Sequence, residues 1–157
     1  MAIRQNFKLN DFDWHITIYY TVNDEIGKFM FYCCANLKEI ELPDGVTSIG
    51  DYAFYCDALT SIDIPDNVTS IGNDTFSYCD ALTTVTIGDG VTSIGYGVFS
   101  ECSALRDFYC HATTPPSIRS SSFSTYDDQT TLHVPAGCGS TYKSRWGYHF
   151  KNIVEMD

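Results

Sequence analysis

Positive charge is scarce in this chain: nine Lys and Arg stand against 20 Asp and Glu, for a net charge of −11. Such a surface repels phosphate backbones and anionic headgroups, which argues against nucleic acid and membrane surfaces as partners. No apolar run approaches the ~18 residues that span a bilayer, so no membrane insertion is expected. The opening MAIRQNFKLNDFDWH lacks the apolar core of a secretion signal. G-x-S-x-G, a phosphate loop and H-E-x-x-H are also missing, so no enzyme is expected. The four histidines, His15, His111, His133 and His149, are scattered without zinc-ligand spacing, so neither a metal nor another cofactor is expected. What the chain does have is 44% hydrophobic and 15% aromatic residues, enough to bury a core in one domain of 157 residues.

Those apolar residues recur. "VTSIG" occupies 46–50, 68–72 and 91–95, inside longer units LKEIELPDGVTSIGDYAFYCDA (37–58), LTSIDIPDNVTSIGNDTFSYCDA (59–81) and LTTVTIGDGVTSIGYGVFSECSA (82–104). The first unit is one residue shorter, between Phe54 and Cys56. Leu37/Leu59/Leu82, Ile40/Ile62/Val85, Val46/Val68/Val91, Ile49/Ile71/Ile94 and Phe54/Phe76/Phe99 coincide. A period in the low twenties with an L-x-x-I-x-I strand marks a leucine-rich-type solenoid, whose units must stack because none can bury its apolar side alone.

Each part of the unit has a physical job. Ile62 and Ile64 lie two apart and face one side of a strand, with Asp63 on the other. Pro65-Asp66-Asn67 breaks that strand, and Gly45 and Gly90 at the Asn67 position point to a left-handed turn residue. Val68 and Ile71 turn inward, and Gly72 serves the next corner. Phe76 and Cys79, three apart, predict one helical or 3₁₀ turn on the convex side. Degenerate copies extend the array: HITIYY (15–20) with Ile16 and Ile18 inward, IGKFMF (26–31), LRDFYC (105–110), PPSIRSSSF (115–123) and TLHVP (131–135). Tyr142, Trp146 and Phe150, four apart, predict a short amphipathic helix over the last rung. The expected fold is a β-rich, right-handed leucine-rich-repeat solenoid of about six rungs of ~23 residues, with parallel strands. Residues 1–25 are expected to form an N-terminal cap and first strand, 26–135 the solenoid and 136–157 a C-terminal cap.

The pattern LTSIDIPDNVTSIG followed by Phe76 and Cys79, then YCHATTPPSI (109–118), then LHVPAGC and YKSRWGYHFKNIVEM, resembles the BspA-like leucine-rich repeat family of bacterial surface proteins over roughly residues 26–157. The resemblance implies a cell-surface or secreted location. It also implies adhesion to host matrix proteins, or other surface recognition of an extracellular protein or glycan.

Seven cysteines invite a disulfide reading. Cys34, Cys56, Cys79 and Cys102 share one repeat position, and Cys110 replaces an inward isoleucine. Rungs about 4.7–4.9 Å apart with parallel Cβ vectors exceed the ~3.5–4.5 Å of disulfides, so a reduced, buried ladder is expected with Cys33 and Cys138 outside it. Cys110 and His111 cannot form a catalytic dyad, because adjacent strand residues point to opposite faces. Asp44, Asp66 and Asp89 form a row that reads either as a calcium ladder or as turn residues accepting backbone hydrogen bonds; the second is favoured.

Function then rests on the outward strand positions. They run Lys38, Glu39, Glu41; Thr60, Ser61, Asp63; Thr83, Thr84, Thr86; Arg106, Asp107, Tyr109; Thr130, Thr131, His133. The ends vary and the middle carries small hydroxyls. Candidate ligand-binding residues are Glu41, Asp63, Thr86, Arg106, Tyr109 and His133, with Thr17, Glu41, Asp63, Thr86, Tyr109 and His133 expected in one row. A varied face fits a recognition module and a monotonous one fits a structural spacer or self-associating solenoid. Ice binding would need threonines on every rung, which this face lacks.

Overall fold

The computed structural model describes residues 6–10, 13–17, 24–119, 121–123 and 129–157, with side chains from residue 24 onward. Along the chain come β1 (Asn6–Asn10), β2 (Asp13–Thr17), β3 (Glu25–Ile26), β4 (Leu37–Glu41), β5 (Ser48–Ile49) and β6 (Ser61–Ile64). Next are β7 (Ser70–Ile71), β8 (Thr84–Ile87), β9 (Ser93–Ile94), β10 (Asp107–Cys110), β11 (Ser117–Ile118) and β12 (Thr131–Val134). Helix α1 (Gly139–Trp146) and β13 (Asn152–Glu155) complete the chain.

The architecture is a parallel β-solenoid. The two-residue strands, "SI" in four repeats and Glu25–Ile26 in the first, stack as β11-β9-β7-β5-β3, and the longer ones as β13-β12-β10-β8-β6. Between them the alternating residues of each long strand point inward: Ile62, Val85, Phe108 and Leu132 are each at most 1% exposed. All six predicted long strands form, although Ile18 lies outside the described residues. On the turn side Phe31, Phe54, Phe76, Phe99 and Phe123 stack ring on ring, with centroids 5.1 to 5.6 Å apart.

The outward row is not continuous. β4 belongs to a separate sheet, β1-β2-β4, so the ladder breaks between Glu41 and Asp63. One cause is covalent. Gly88 and His111 donate their N–H to Ile64 and Ile87 of the preceding rung, but the equivalent residue facing Leu42 is Pro65, which has no N–H.

The convex segment carries the expected three-residue turn, the Cys79 N–H donating to the Phe76 carbonyl at 3.3 Å, but no longer helical run. Alternate amides leave the rung: Asp74, Phe76 and Tyr78 donate to the carbonyls of Tyr96, Val98 and Ser100. Left-handed Asp74 (φ 51°) and Tyr78 (φ 58°) prevent a helical run. The left-handed positions expected at Gly45, Asn67 and Gly90 are not left-handed; instead Phe29, Tyr52, Asp74 and Gly97 adopt positive φ. Gly90 answers to close approach, since a Cβ there would lie 1.9 Å from the Asp66 carbonyl oxygen.

Two columns of hydroxyls tie the rungs together. Thr47, Thr69, Thr92 and Ser117 donate to the carbonyls of Asp24, Thr47, Thr69 and Thr92. Thr60, Thr83 and Thr130 donate to Lys38, Thr60 and Leu105 in the same way. Thr130, expected outward, is thereby buried at 2% exposure. In the turn that carries the aspartate row, the Asp66 carboxylate accepts from the Asp89 N–H at 3.2 Å.

All seven cysteines are free. The thiols of Cys56, Cys79 and Cys102 donate to the carbonyls of Phe31, Phe54 and Phe76 at 2.9, 2.9 and 3.2 Å. Burial pushes the Cys56 and Cys79 thiols far above their ordinary value and Cys110 up to about 11. Cys34 departs from its column by being only partly buried, and Cys33 is exposed. Native-state alkylation is therefore expected to modify Cys33, Cys34 and Cys138, and to reach Cys56, Cys79, Cys102 and Cys110 only after denaturation. Intact mass showing a disulfide without reductant would contradict this ladder.

The C-terminal helix ends at Trp146, one turn short of Phe150. Tyr142 and Trp146 are buried, Tyr142 donating to the Ala112 carbonyl at 2.7 Å and the Trp146 indole to Pro116 at 3.3 Å. The segment beyond was not expected to be a strand. Asn152–Glu155 pairs in parallel with β12, and the Glu155 carboxylate accepts from the Gly137 and Gly139 amides at 2.9 and 2.8 Å.

Candidate functional site

The outward face of the long strands positions the candidate residues by register. Asp63 pairs with Thr86, Thr86 with Tyr109, Tyr109 with His133 and His133 with Val154. Equivalent residues in a parallel stack project in the same direction, so these five form one row. Thr17 is in register with Glu41 on the other sheet, and its side chain lies outside the described residues.

At the C-terminal end the row becomes aromatic. The Tyr109 and His133 rings stack at 4.2 Å with planes 12° apart. His133 Nε2 makes a 2.9 Å hydrogen bond with Asp107 Oδ1, which fixes the imidazole over its neighbour. Val154, 48% exposed, extends this platform with an aliphatic surface. Asp107 and Val154 were not among the candidates. The alternation of NIVE and the diagonal offset of Asp107 from His133 were the available signals.

At the other end, the break between β4 and β6 opens a depression of about 500 Å³ whose lining includes Glu39, Glu41, Asp44, Ser61 and Asp63. Four carboxylates there give it strong negative character. Glu41 therefore shares a depression with Asp63 without sharing its sheet. Arg106 does not join the row: its guanidinium bends back to the carbonyls of Leu105 and Ser103 at 2.9 and 3.4 Å. Cys110 and His111 do separate to opposite faces, with the Cys110 thiol buried 2.9 Å from the Tyr142 hydroxyl and His111 exposed. Among the described residues, no group of three or more His, Cys, Asp or Glu is placed to hold a metal ion.

The profile of the BspA type leucine-rich repeat region matches six copies across residues 14–150. The chain belongs to this family. Solved structures, two of them described as leucine-rich repeat proteins, share its fold. The pneumococcal vaccine antigen PcpA superposes with a TM-score of 0.68 at 22% identity, covering 85% of this chain and 33% of that one. A leucine-rich repeat protein from Bacteroides ovatus gives 0.58 at 28% identity, covering 70% and 28%. One from Eubacterium ventriosum gives 0.59 at 26% identity, covering 82% and 39%. The chain thus spans about a third of the length of these structures. No curated protein matches it. Family and solenoid architecture together make this a protein-interaction type of fold, and no helix is long and apolar enough to cross a membrane among the described residues.

Proposed function

We propose that this chain is a non-catalytic recognition module of a bacterial surface protein, binding an extracellular protein or glycan of a host through its outward strand face. The chemical polarity of that face carries the reading. A carboxylate-lined depression lies at one end and the Tyr109–His133–Asp107 platform at the other, so a partner can dock in one direction only. Tyrosine combines large apolar area with a hydroxyl and few rotamers, which makes Tyr109 the anchor. Rungs about 4.7–4.9 Å apart give a strip roughly 20 Å long from Asp63 to Val154, which the depression at its end and the flanking rows extend toward the ~800 Å² per partner of a standard interface. Membership of the BspA type leucine-rich repeat family, which the sequence resemblance links to bacterial surface proteins, supports placement at a bacterial surface.

The test is a screen of the purified chain against immobilised matrix proteins and a glycan array, followed by variants against whichever partner binds. Tyr109→Ala is expected to weaken binding about tenfold or more, as for an interface anchor. Tyr148→Ala, which removes a ring 84% exposed on the cap, is expected to leave it unchanged. Absence of reproducible binding in both screens would instead favour a structural spacer, in which the hydroxyl columns simply hold rungs together.

A further inference from the structure

The turn side of the solenoid carries a second tier of rings outside the buried phenylalanine stack. Phe29 stacks on Tyr52 at 5.2 Å with planes 1° apart. Tyr32 stands edge-on to both, at 5.6 and 6.4 Å, and continues through Tyr55 at 5.0 Å to Tyr78 a further 5.5 Å on. Phe29, Tyr32 and Tyr78 are 55%, 44% and 48% exposed. Single exposed aromatics are ordinary, but five in contact across three successive rungs form a patch of the kind that marks an interaction site.

The backbone beneath these rings does not call for them. Phe29, Tyr52 and Tyr78 sit at φ 58°, 55° and 58°, a left-handed conformation that bulky side chains adopt only under strain. Further along the Phe29/Tyr52 column the chain places Asp74 and then Gly97, residue types better suited to that conformation. Among the described residues, three of the eight non-glycine residues at positive φ carry these rings, at turn positions where Asn or Gly would fold more easily.

The charge around the patch decides what would cover it. Asp74 bonds the Tyr52 hydroxyl and, with other nearby groups, holds that phenol above its ordinary pKa. Asp57 and Asp80, both exposed, lie on the neighbouring turns beside Tyr55 and Tyr78. Cations are near too: the Lys28 ammonium is engaged by Asp51 at 2.8 Å, and Arg119 lines a depression with Asp51, Tyr52 and Asp74. A second copy of a chain carrying −11 would set carboxylate against carboxylate. A sugar ring needs an aromatic face to lie on, and Phe29 and Tyr52 turn theirs toward each other. Lysine and arginine side chains fit both features, packing their aliphatic stems on ring edges while their heads meet hydroxyls and carboxylates.

We propose that this convex aromatic patch docks a Lys/Arg-rich protein segment, independently of the strand face. The probe is a fluorescein-labelled decapeptide of alternating Arg and Ser, titrated by anisotropy at about 0.15 M salt, where charges beyond ~8 Å are screened. Tyr52→Asn with Tyr78→Asn removes two rings and installs a residue that tolerates left-handed backbone, so the melting temperature should hold or rise. Tyr32→Ser deletes a third ring from an ordinary backbone position. Both variants are expected to weaken binding about tenfold or more, with Tyr148→Ala on the cap changing it less than about twofold. No binding, equal binding by every variant, or loss with Tyr148→Ala alone would each overturn the proposal. None of those results depends on whether Tyr109 anchors another partner.

Discussion

Replacing Ile62 with aspartate is expected to leave the chain unfolded, while Asp63→Asn beside it melts with the parent. Ile62 is 1% exposed and pairs with Val85 inside the core, whereas Asp63 faces solvent on the same strand. A carboxylate at 62 would have no partner in an apolar interior and costs several kcal/mol, comparable to a whole domain's stability of about 5–15 kcal/mol. Thermal melts by circular dichroism read both variants. Equal melting temperatures would mean that the inward and outward faces of the strand had been exchanged.

The second large effect is expected at the end of the stack. Trp146 is 1% exposed, 5.2 Å from Phe123 and 6.3 Å from Phe108, and covers the phenylalanine column beyond Phe123. Trp146→Ala removes that lid and leaves a cavity, at a cost of about 3–5 kcal/mol. The melting temperature should fall on the order of 10 °C, with amide protection lost first over 107–134. Tyr148→Ala, two residues away but 84% exposed, is the control and should change neither quantity. A Trp146→Ala protein with unaltered protection over β10 and β12 would show that α1 merely rests on the last rung.

Much of this was legible in the chain because the repeat makes its own alignment. With three copies in register, Ile62, Val68, Ile71 and Phe76 are inward by coincidence of position, and each proves buried. The three-residue spacing of Phe76 and Cys79 announces the turn that the Cys79 N–H closes on the Phe76 carbonyl, but not the alternate amides that bond to the next rung. The left-handed Asp74 and Tyr78 mark that arrangement; Asp tolerates positive φ, whereas a bulky tyrosine gives no sign of it. The row of candidates held from Asp63 to His133 but not across to Glu41, because a missing proline N–H is silent in a hydrophobic pattern. Arg106 was placed outward correctly, yet an exposed position says nothing of where a long side chain bends. The aromatic patch escaped notice for the opposite reason: its tyrosines occupy positions that the core pattern ignores.

The hydroxyl and thiol columns have a kinetic consequence. Their bonds join residues between 22 and 26 apart in sequence, whichever rung they belong to. Closing a loop of that length costs about 3 kcal/mol beyond a constant, and each added rung meets the same barrier rather than a larger one. Mean sequence separation between contacting residues therefore does not grow as the array lengthens, and folding advances by accretion of one rung on the last. A chain of this type can be extended by duplicating a segment of 22 or 23 residues without making its assembly slower per unit.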